Sequence, residues 1–152
     1  MPKKSAGLLS YRMNRGSTEV FLVHPGGPFW ANKDGGAWSI PKGEFAAGED
    51  PLEAAKREFR EETSLIVVGE YRPLKPLRQQ GGKIVYAWAV QSDLEAAAVK
   101  SNTFSMEWPR GSGKMREFPE IDRAEWFKID LARRKILKSQ LDLLEQLEQV
   151  VA

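Results

Sequence analysis

Gly43-Glu-Phe-Ala-Ala-Gly-Glu49, followed after seven intervening residues by Arg57-Glu-Phe-Arg-Glu-Glu-Thr-Ser-Leu65, is the stretch from which the rest of the chain is read. Its second half falls in the clearest helix of the sequence, predicted over Asp50–Thr63. Asp50 is a short polar residue suited to cap the first turn. Pro51 fits the first helical position, and Glu53 stands where an acid of a capping box belongs. Leu52, Ala55 and Phe59 recur at helical spacing and are assigned to the core-facing side. Glu58, Glu61 and Glu62 fall at i, i+3 and i+4, so they project from one face of the same helix. Three like charges so placed weaken an isolated helix by roughly a few tenths of a kcal/mol per pair, and a positive partner is expected. Arg57 and Arg60 are one candidate and a divalent metal is the other. An all-oxygen cluster is the donor set preferred by hard ions such as Mg²⁺ or Mn²⁺. At about 100° per residue, the acids lie roughly 100° round from the apolar side, at the margin of the core where a cleft can open. Read alone, a Glu- and Arg-rich helical face is more often a solvated surface than a site.

Composition narrows the chemistry open to these acids. The chain has 152 residues, with 23 Lys and Arg against 21 Asp and Glu, one histidine and no cysteine. That length suits one domain over residues 1–152, large enough to bury a core without disulfides or structural zinc. Without cysteine there is no thiol nucleophile and no zinc ribbon. A single histidine excludes paired-histidine zinc sites and leaves little room for a Ser-His-Asp triad. Catalysis is therefore expected to rest on carboxylates, hydroxyls and basic side chains. The first residues, Met-Pro-Lys-Lys-Ser-Ala-Gly, lack the apolar stretch of a signal peptide, and no run approaches the length of a membrane span. A soluble, cytoplasmic protein without a membrane partner is expected. A net charge of +2 does not suggest a protein that coats polyanions, so no stable nucleic-acid polymer partner is expected, while a pI near 8.9 suits a phosphate-rich small molecule.

On either side of the helix the pattern alternates between strands and loops. Ala6–Met13 and Glu19–His24 read as a β-hairpin around a turn at Asn14–Thr18. Pro25–Gly36, dense in glycine and proline, is a loop, and Ala37–Ile40 is a short strand before Pro41. Leu65–Val68 and Tyr71–Leu77 follow, then Lys83–Gln91, whose Ile-Val-Tyr-Ala-Trp-Ala-Val run reads as a buried strand. Ser101–Pro119 is a second loop-like segment, with Thr103–Trp108 as its extended part. Ala124–Ile129 is a last strand, and Leu131 to the end is an amphipathic helix. The Leu137, Leu141, Leu144 stripe is too short for a coiled coil and is assigned to packing on a sheet. The mixture of hairpins and crossovers fits an α/β sandwich around a mixed sheet.

Extended beyond the helix, the quoted stretch resembles the Nudix box, Gly-x5-Glu-x7-Arg-Glu-U-x-Glu-Glu-x-Gly-U, where U is a bulky apolar residue. Gly43, Glu49, Arg57, Glu58, Phe59, Glu61, Glu62 and Leu65 fit it. Ser64 stands where the family has a glycine that ends the helix in a left-handed turn, so a local cost in stability is expected there. Trp38-Ser-Ile-Pro-Lys-Gly-Glu44 with Gly48-Glu-Asp50, together with Lys83–Ala89 and Ala124–Ile129, is most similar to the asymmetric diadenosine tetraphosphate hydrolase branch. The resemblance implies a Nudix-type α/β/α sandwich and a hydrolase that splits nucleoside diphosphate derivatives with Mg²⁺ or Mn²⁺. It implies metal ligation by Glu58 and Glu62. Glu61 would hold a second ion or orient water, and the Gly43 carbonyl would face the metal. Arg57 would brace a glutamate or the loop. A further ligand is implied six residues before Trp126, at Glu120, with Glu117 as the alternative. Which carboxylate acts as base stays open.

Several residues outside the box are candidates for binding substrate. Lys42 is placed to contact a phosphate. Tyr86 and Trp88 share a strand face from which an adenine can be stacked, one of them being assigned to the core. Trp30, Trp38, Met106 and Trp108 are further stacking candidates. Gly111-Ser-Gly113-Lys114 mimics part of a P-loop without its first glycine or its hydroxyl residue, and is read as a turn whose Lys114 and Arg116 assist with phosphates. His24 is expected to end a strand without a chemical duty. The expected activity is metal-dependent pyrophosphate hydrolysis on a small nucleotide of the diadenosine polyphosphate type, by a monomer or homodimer. The alternatives are an altered nucleoside triphosphate, ADP-ribose or an RNA 5′-triphosphate as substrate, or a nucleotide-sensing module without turnover.

Overall fold

Arg15 and Gly16 both take left-handed backbone angles, with φ of 52° and 81°, and this two-residue loop closes the first hairpin. Loops of this kind match the right-handed twist of the strands they join. The hairpin consists of β1 (Lys4–Asn14) and β2 (Ser17–Pro25), in the register Asn14↔Ser17 and Tyr11↔Val20. The structure is a computed structural model that describes residues 3–151. Ala152, the last residue of the expected C-terminal helix, lies outside the described residues.

β1 anchors the sheet. It pairs antiparallel with β3 (Lys42–Glu44) through Ala6↔Gly43 and parallel with β6 (Ile84–Gln91) through Leu8↔Trp88. β9 (Ile121–Lys128) joins the far side of β2. β4 (Tyr71–Pro73) and β5 (Leu77–Arg78) pair with β6, giving the order β4-β6-β1-β2-β9 with β3 on β1 and β5 on β6. One parallel pairing among antiparallel ones makes the sheet mixed, as the sequence predicts.

Alternation along β1 and β2 divides the apolar residues between the two faces. Ala6, Leu8, Phe21 and Val23 meet Ala54, Ala55 and Phe59 of α1 (Pro51–Thr63). Leu9, Tyr11, Val20 and Leu22 meet Trp38, Ile136 and the Leu143, Leu144 and Leu147 side chains of α3 (Leu141–Val151). The result is an α/β/α sandwich. Of the expected helical core positions, Ala55 and Phe59 are buried, and Leu52 packs at the edge of the same cluster.

Several local expectations are corrected. Ser101–Pro119 is a second hairpin rather than a loop, made of β7 (Thr103–Glu107) and β8 (Met115–Pro119). Phe104 and Phe118 stand opposite each other across it, with ring centroids 6.0 Å apart. Ala37–Ile40 forms no strand. Ser39 bridges to Val23 and Trp38 to Ile136, but the Ile40 N–H donates to the Gln140 side chain, which interrupts any ladder. Leu65–Val68 has no strand partner, and Tyr71–Leu77 is interrupted: the Leu74 N–H still reaches the Ala87 carbonyl, but the Lys75 N–H donates to the Gln146 side chain and Pro76 has none to give. The C-terminal helix is broken. α2 (Ile129–Lys135) takes Ile129 from the expected last strand, and the chain then extends because the Leu137 N–H donates to the Trp38 carbonyl at 2.8 Å. Leu144 is buried, and Leu141 packs against the same cluster, as expected of the leucine stripe.

α1 is capped by a side chain at its start and by a backbone turn at its end, where the Ser64 N–H donates to the Arg60 carbonyl. Asp50 accepts from the Glu53 N–H at 3.0 Å. Ser64 ends the helix in the left-handed region (φ 64°), and its Oγ donates to the Lys100 carbonyl at 2.6 Å. This non-glycine residue thus has a strained backbone that is offset by one hydrogen bond. Ser64→Ala removes the bond and keeps the strain, and is expected to cost about 1 kcal/mol. Ser64→Gly removes both, and should remain within about 0.5 kcal/mol of the parent, since an unmade bond and a more flexible unfolded chain offset the relieved strain. Denaturant titrations of the three proteins check this order.

Candidate active site

Pairing with β1 carries β3 directly past α1, and the two inward acids of the helix meet its backbone. A Cβ on Gly43 would collide with the Glu58 carboxylate, so glycine is what lets Glu58 rest against this strand. One residue earlier, the Lys42 N–H donates to Glu62 Oε2 at 3.2 Å. Glu58 and Glu62, one turn apart on α1, are thereby set against Gly43 and Lys42.

Arg57 organises the remaining acids. Its Nε and Nη2 donate to the two oxygens of Glu49, at 3.0 and 3.2 Å, in a bidentate pair. Its Nη1 donates to Glu58 at 2.9 Å and to Glu61 at 3.1 Å. The Glu49 bonds come first in raising the guanidinium pKa above its ordinary value. Arg57 thus ties the end of the Gly43–Glu49 stretch to the helix. Glu61 is exposed on the Arg57 side, apart from the Glu58 and Glu62 contacts with β3.

Burial dominates the electrostatics. It pushes the Glu62 carboxyl up to about 8, with the nearby charges of Glu58 and Glu120 adding to the rise. The Glu58 carboxyl is raised first by burial and next opposed by Arg57. Burial also lowers the Lys42 ammonium, against the pull of Glu62. Both partners of the Lys42–Glu62 pair are thus pushed toward neutrality by the same cause.

A cavity of about 240 Å³ opens at this point, lined by Lys42, Glu62 and Glu120 together with Trp30, Ser39 and Ile40. Glu120 lies at the β8–β9 junction, where its N–H donates to Asn102 and its carbonyl accepts from Gly26. Glu117, the alternative, is exposed on β8 and does not line this cavity. Among the described residues no three His, Asp or Glu side chains are already gathered as a metal cluster. The donor chemistry nonetheless suits a hard divalent cation. Glu58 sits in a cradle that a Cβ at Gly43 would fill, and Glu58, Glu62 and Glu120 supply only carboxylate oxygen.

The other candidates are dispersed. Tyr86 lines a separate cavity of about 540 Å³ beside Lys3, Lys4, Phe45 and Glu49, and its ring meets Phe45 with centroids 6.0 Å apart. Trp88 packs against the α1-side core. Lys114 is exposed near the tip of the β7–β8 hairpin and lines neither cavity. Trp38 is corrected from a stacking candidate to a core residue. It is 1 % exposed, lies edge-on to His24 and Phe127, and donates from Nε1 to Asp34. Trp30 and Met106 both line a further cavity beside Glu120, whereas Trp108 does not. Sequence reasoning assigned no role to Phe45 or Phe104. The alternation in Thr-Phe-Ser-Met-Glu, residues 103–107, is the signal by which Phe104 is placed on the same strand face as Met106.

Comparison with known proteins agrees with this architecture. A family model described as the NUDIX domain matches residues 1–147. Similar solved structures include an Ap4A hydrolase of C. elegans in a binary complex, 23% identical with a TM-score of 0.62, covering 98% of this chain and 97% of that one. The NUDIX domain of Shewanella oneidensis NrtR, complexed with ADP ribose, is 13% identical with a TM-score of 0.67, covering 100% and 90% of the two chains. At these identities the likeness is one of fold. An octanoyltransferase of Myxococcus xanthus is 32% identical over 102 residues, which is 67% of this chain but only 26% of that protein, so the match spans about a quarter of its length. With the family model spanning nearly the whole chain and the glutamate helix set against Gly43, the chain belongs to the Nudix family of hydrolases.

Proposed function

We propose that this chain is a pyrophosphohydrolase, dependent on Mg²⁺ or Mn²⁺, that cleaves a phosphoanhydride of a small nucleotide, a diadenosine polyphosphate being the first candidate. The carrying observation is the placement of Glu58 and Glu62 against Gly43 and Lys42, with Glu120 lining the same cavity as Glu62. Glu58, Glu62 and Glu120, with the Gly43 carbonyl, are the groups assigned to hold the ion, and Glu61 is assigned to a second ion or to the attacking water. When bound, such an ion neutralises the bridging phosphates and lowers the pKa of a coordinated water.

The chain's own residues supply the rest. Lys42 borders the cavity and offers its ammonium to a phosphate oxygen. Arg57 takes no part in substrate contact. It holds Glu58 and Glu61 in place relative to Glu49. Water attacks phosphorus in line, the P–O bond to the leaving phosphate breaks, and a carboxylate takes the proton. The likeness to the C. elegans Ap4A hydrolase supports the dinucleotide class, and the ADP ribose held by the NrtR domain supports a nucleoside diphosphate derivative as the competing substrate. No helix of the described residues is long and apolar enough to cross a membrane. We assign the activity to the cytoplasm and to a monomer or homodimer.

Mass analysis of products from diadenosine tetraphosphate and a panel of other nucleotides tests the reading. ATP plus AMP is the expected outcome, two ADP would indicate a symmetric cut, and binding without turnover of any nucleotide would favour a sensing module. Glu62→Gln should lose at least about 100-fold in turnover while staying folded, as expected when a ligand of the ion is removed.

Stability carries a second signature. The Glu62 carboxyl titrates near 8 in the folded chain and near 4.5 when unfolded. The folded state therefore holds its proton more tightly, and this contribution is complete below pH 4.5 and lost as pH rises to about 8. In metal-free buffer the parent should lose thermal stability relative to Glu62→Gln across that window, with the gap levelling above it. Added Mg²⁺ at pH 8 should raise the melting temperature of the parent and do less for the variant.

A further inference from the structure

The cavity at Lys42 and Glu62 continues into a second one of different chemistry. This neighbour, about 390 Å³, is lined by Pro25–Trp30, Phe104, Met106 and Glu120, and it shares Pro25, Trp30 and Glu120 with the first. Its only charged lining residue is Glu120, at the junction. The first cavity thus holds Lys42 and two glutamates among apolar walls, and the second is aromatic and apolar apart from Glu120. A small nucleotide has the same division, a polyanion at one end and a flat π-surface at the other.

The walls of this recess are fixed by backbone contacts. The Gly26 N–H donates to the Glu120 carbonyl at 2.9 Å, which joins the loop to the β8–β9 junction. Gly27, at φ 98°, faces the tip of the Phe104 ring, where a Cβ would come within 2.8 Å of the outermost ring carbon. Trp30 has Phe29 against it edge-on at 5.3 Å and the Lys33 ammonium 5.1 Å from its ring centroid, and it still lines the cavity. Trp30, Phe104 and Met106 are each only partly buried, leaving apolar surface for a ligand to cover.

Resting on the reading of the chain as a nucleotide pyrophosphohydrolase, we propose that Trp30, Phe104 and Met106 form the subsite for the substrate's nucleobase, so that the base stacks here while the phosphates run past Lys42 toward Glu58 and Glu62. This placement differs from one on Tyr86, whose cavity holds two lysines and two glutamates and shares no lining residue with that of Lys42 and Glu62. Stacking of a base on an aromatic side chain is worth about 1–3 kcal/mol, which sets the expected size of the effect.

The test uses the full chain with two probes, ADP for binding by calorimetry and tripolyphosphate as a base-free competitor. Trp30→Leu and Phe104→Leu should each weaken ADP binding by about 10-fold or more, while Trp30→Phe retains most of the ADP affinity and Phe104→Leu, at a residue that does not line the Lys42 cavity, keeps tripolyphosphate binding within 2-fold of the parent. Tyr86→Leu should leave ADP binding unchanged. If Tyr86→Leu weakens ADP and the Trp30 and Phe104 variants do not, the base lies in the other cavity and the proposal is wrong. An equal loss for ADP and tripolyphosphate would show collapse of the phosphate site instead, and also overturns it. Trp30 packs at the edge of the core, and Phe104, which does not, gives an independent reading if the Trp30 variants misfold. These are binding measurements, so absence of turnover in the parent would count against the hydrolase reading alone.

Discussion

The approach of β3 to α1 is the constraint on which the rest of the site depends. β3 must pair with β1 on one side and pass the carboxylates of α1 on the other, and two glycines make room for it. A Cβ at Gly7 would run into the Pro41 carbonyl and Lys42, and one at Gly43 would run into Glu58. Because Ala6 pairs with Gly43, the register of the sheet also fixes which residues face the helix. A slip of one residue would invert every side chain of the strand and remove the Lys42 N–H from Glu62. The same pairing that stabilises the sheet thus sets the chemistry.

Arg57 performs the complementary task along the helix. Four acids, Glu49, Glu58, Glu61 and Glu62, lie close together, and three of them bond to its guanidinium. The fourth, Glu62, is satisfied by a backbone N–H and is the one whose carboxyl burial raises most clearly. The planar fork of arginine matches the bidentate pair with Glu49 in a way that a lysine ammonium cannot. Glu62 is the acid that Arg57 leaves without a cationic partner, and there a cation from outside the chain would have the greatest effect.

The helix, its cap and its acids were legible in the sequence because each depends on residues within one or two turns. Asp50 and Pro51 act locally, and the structure places them as that chemistry requires; Ser64 ends the helix where expected, but its hydroxyl reaches the distant Lys100 carbonyl. The long strands β1, β2, β6 and β9 were legible from their apolar runs, and the mixed sheet from the combination of hairpins and crossovers. What was not legible depended on distant partners. Trp38 looks like a loop aromatic until Ile136 and Leu137 are brought beside it, after which it is among the most buried residues. The same contact breaks the C-terminal helix, which no feature of that helix alone announces. The β7–β8 hairpin was hidden by the glycine-rich turn at its tip, although the alternation of Phe104 and Met106 was present in the sequence.

The single histidine shows how such distant contacts serve the site. Expected only to end a strand, His24 is fully buried, with Nδ1 2.7 Å from Asp122 and Nε2 2.5 Å from the Lys33 carbonyl. It therefore joins β9 to the loop that carries Phe29, Trp30 and Lys33. Asp34 of that loop is held in turn by Trp38 Nε1 and by Lys135. Buried polar groups of this kind are costly unless fully bonded, so they specify one loop arrangement over others. The acids of α1 are placed by backbone pairing and by Arg57, whereas the aromatic recess is placed by a separate network through His24 and Trp38. The 25–36 loop thus acts on the recess and on Glu120, which Gly26 holds, whereas Arg57 and β3 act on Glu58 and Glu62.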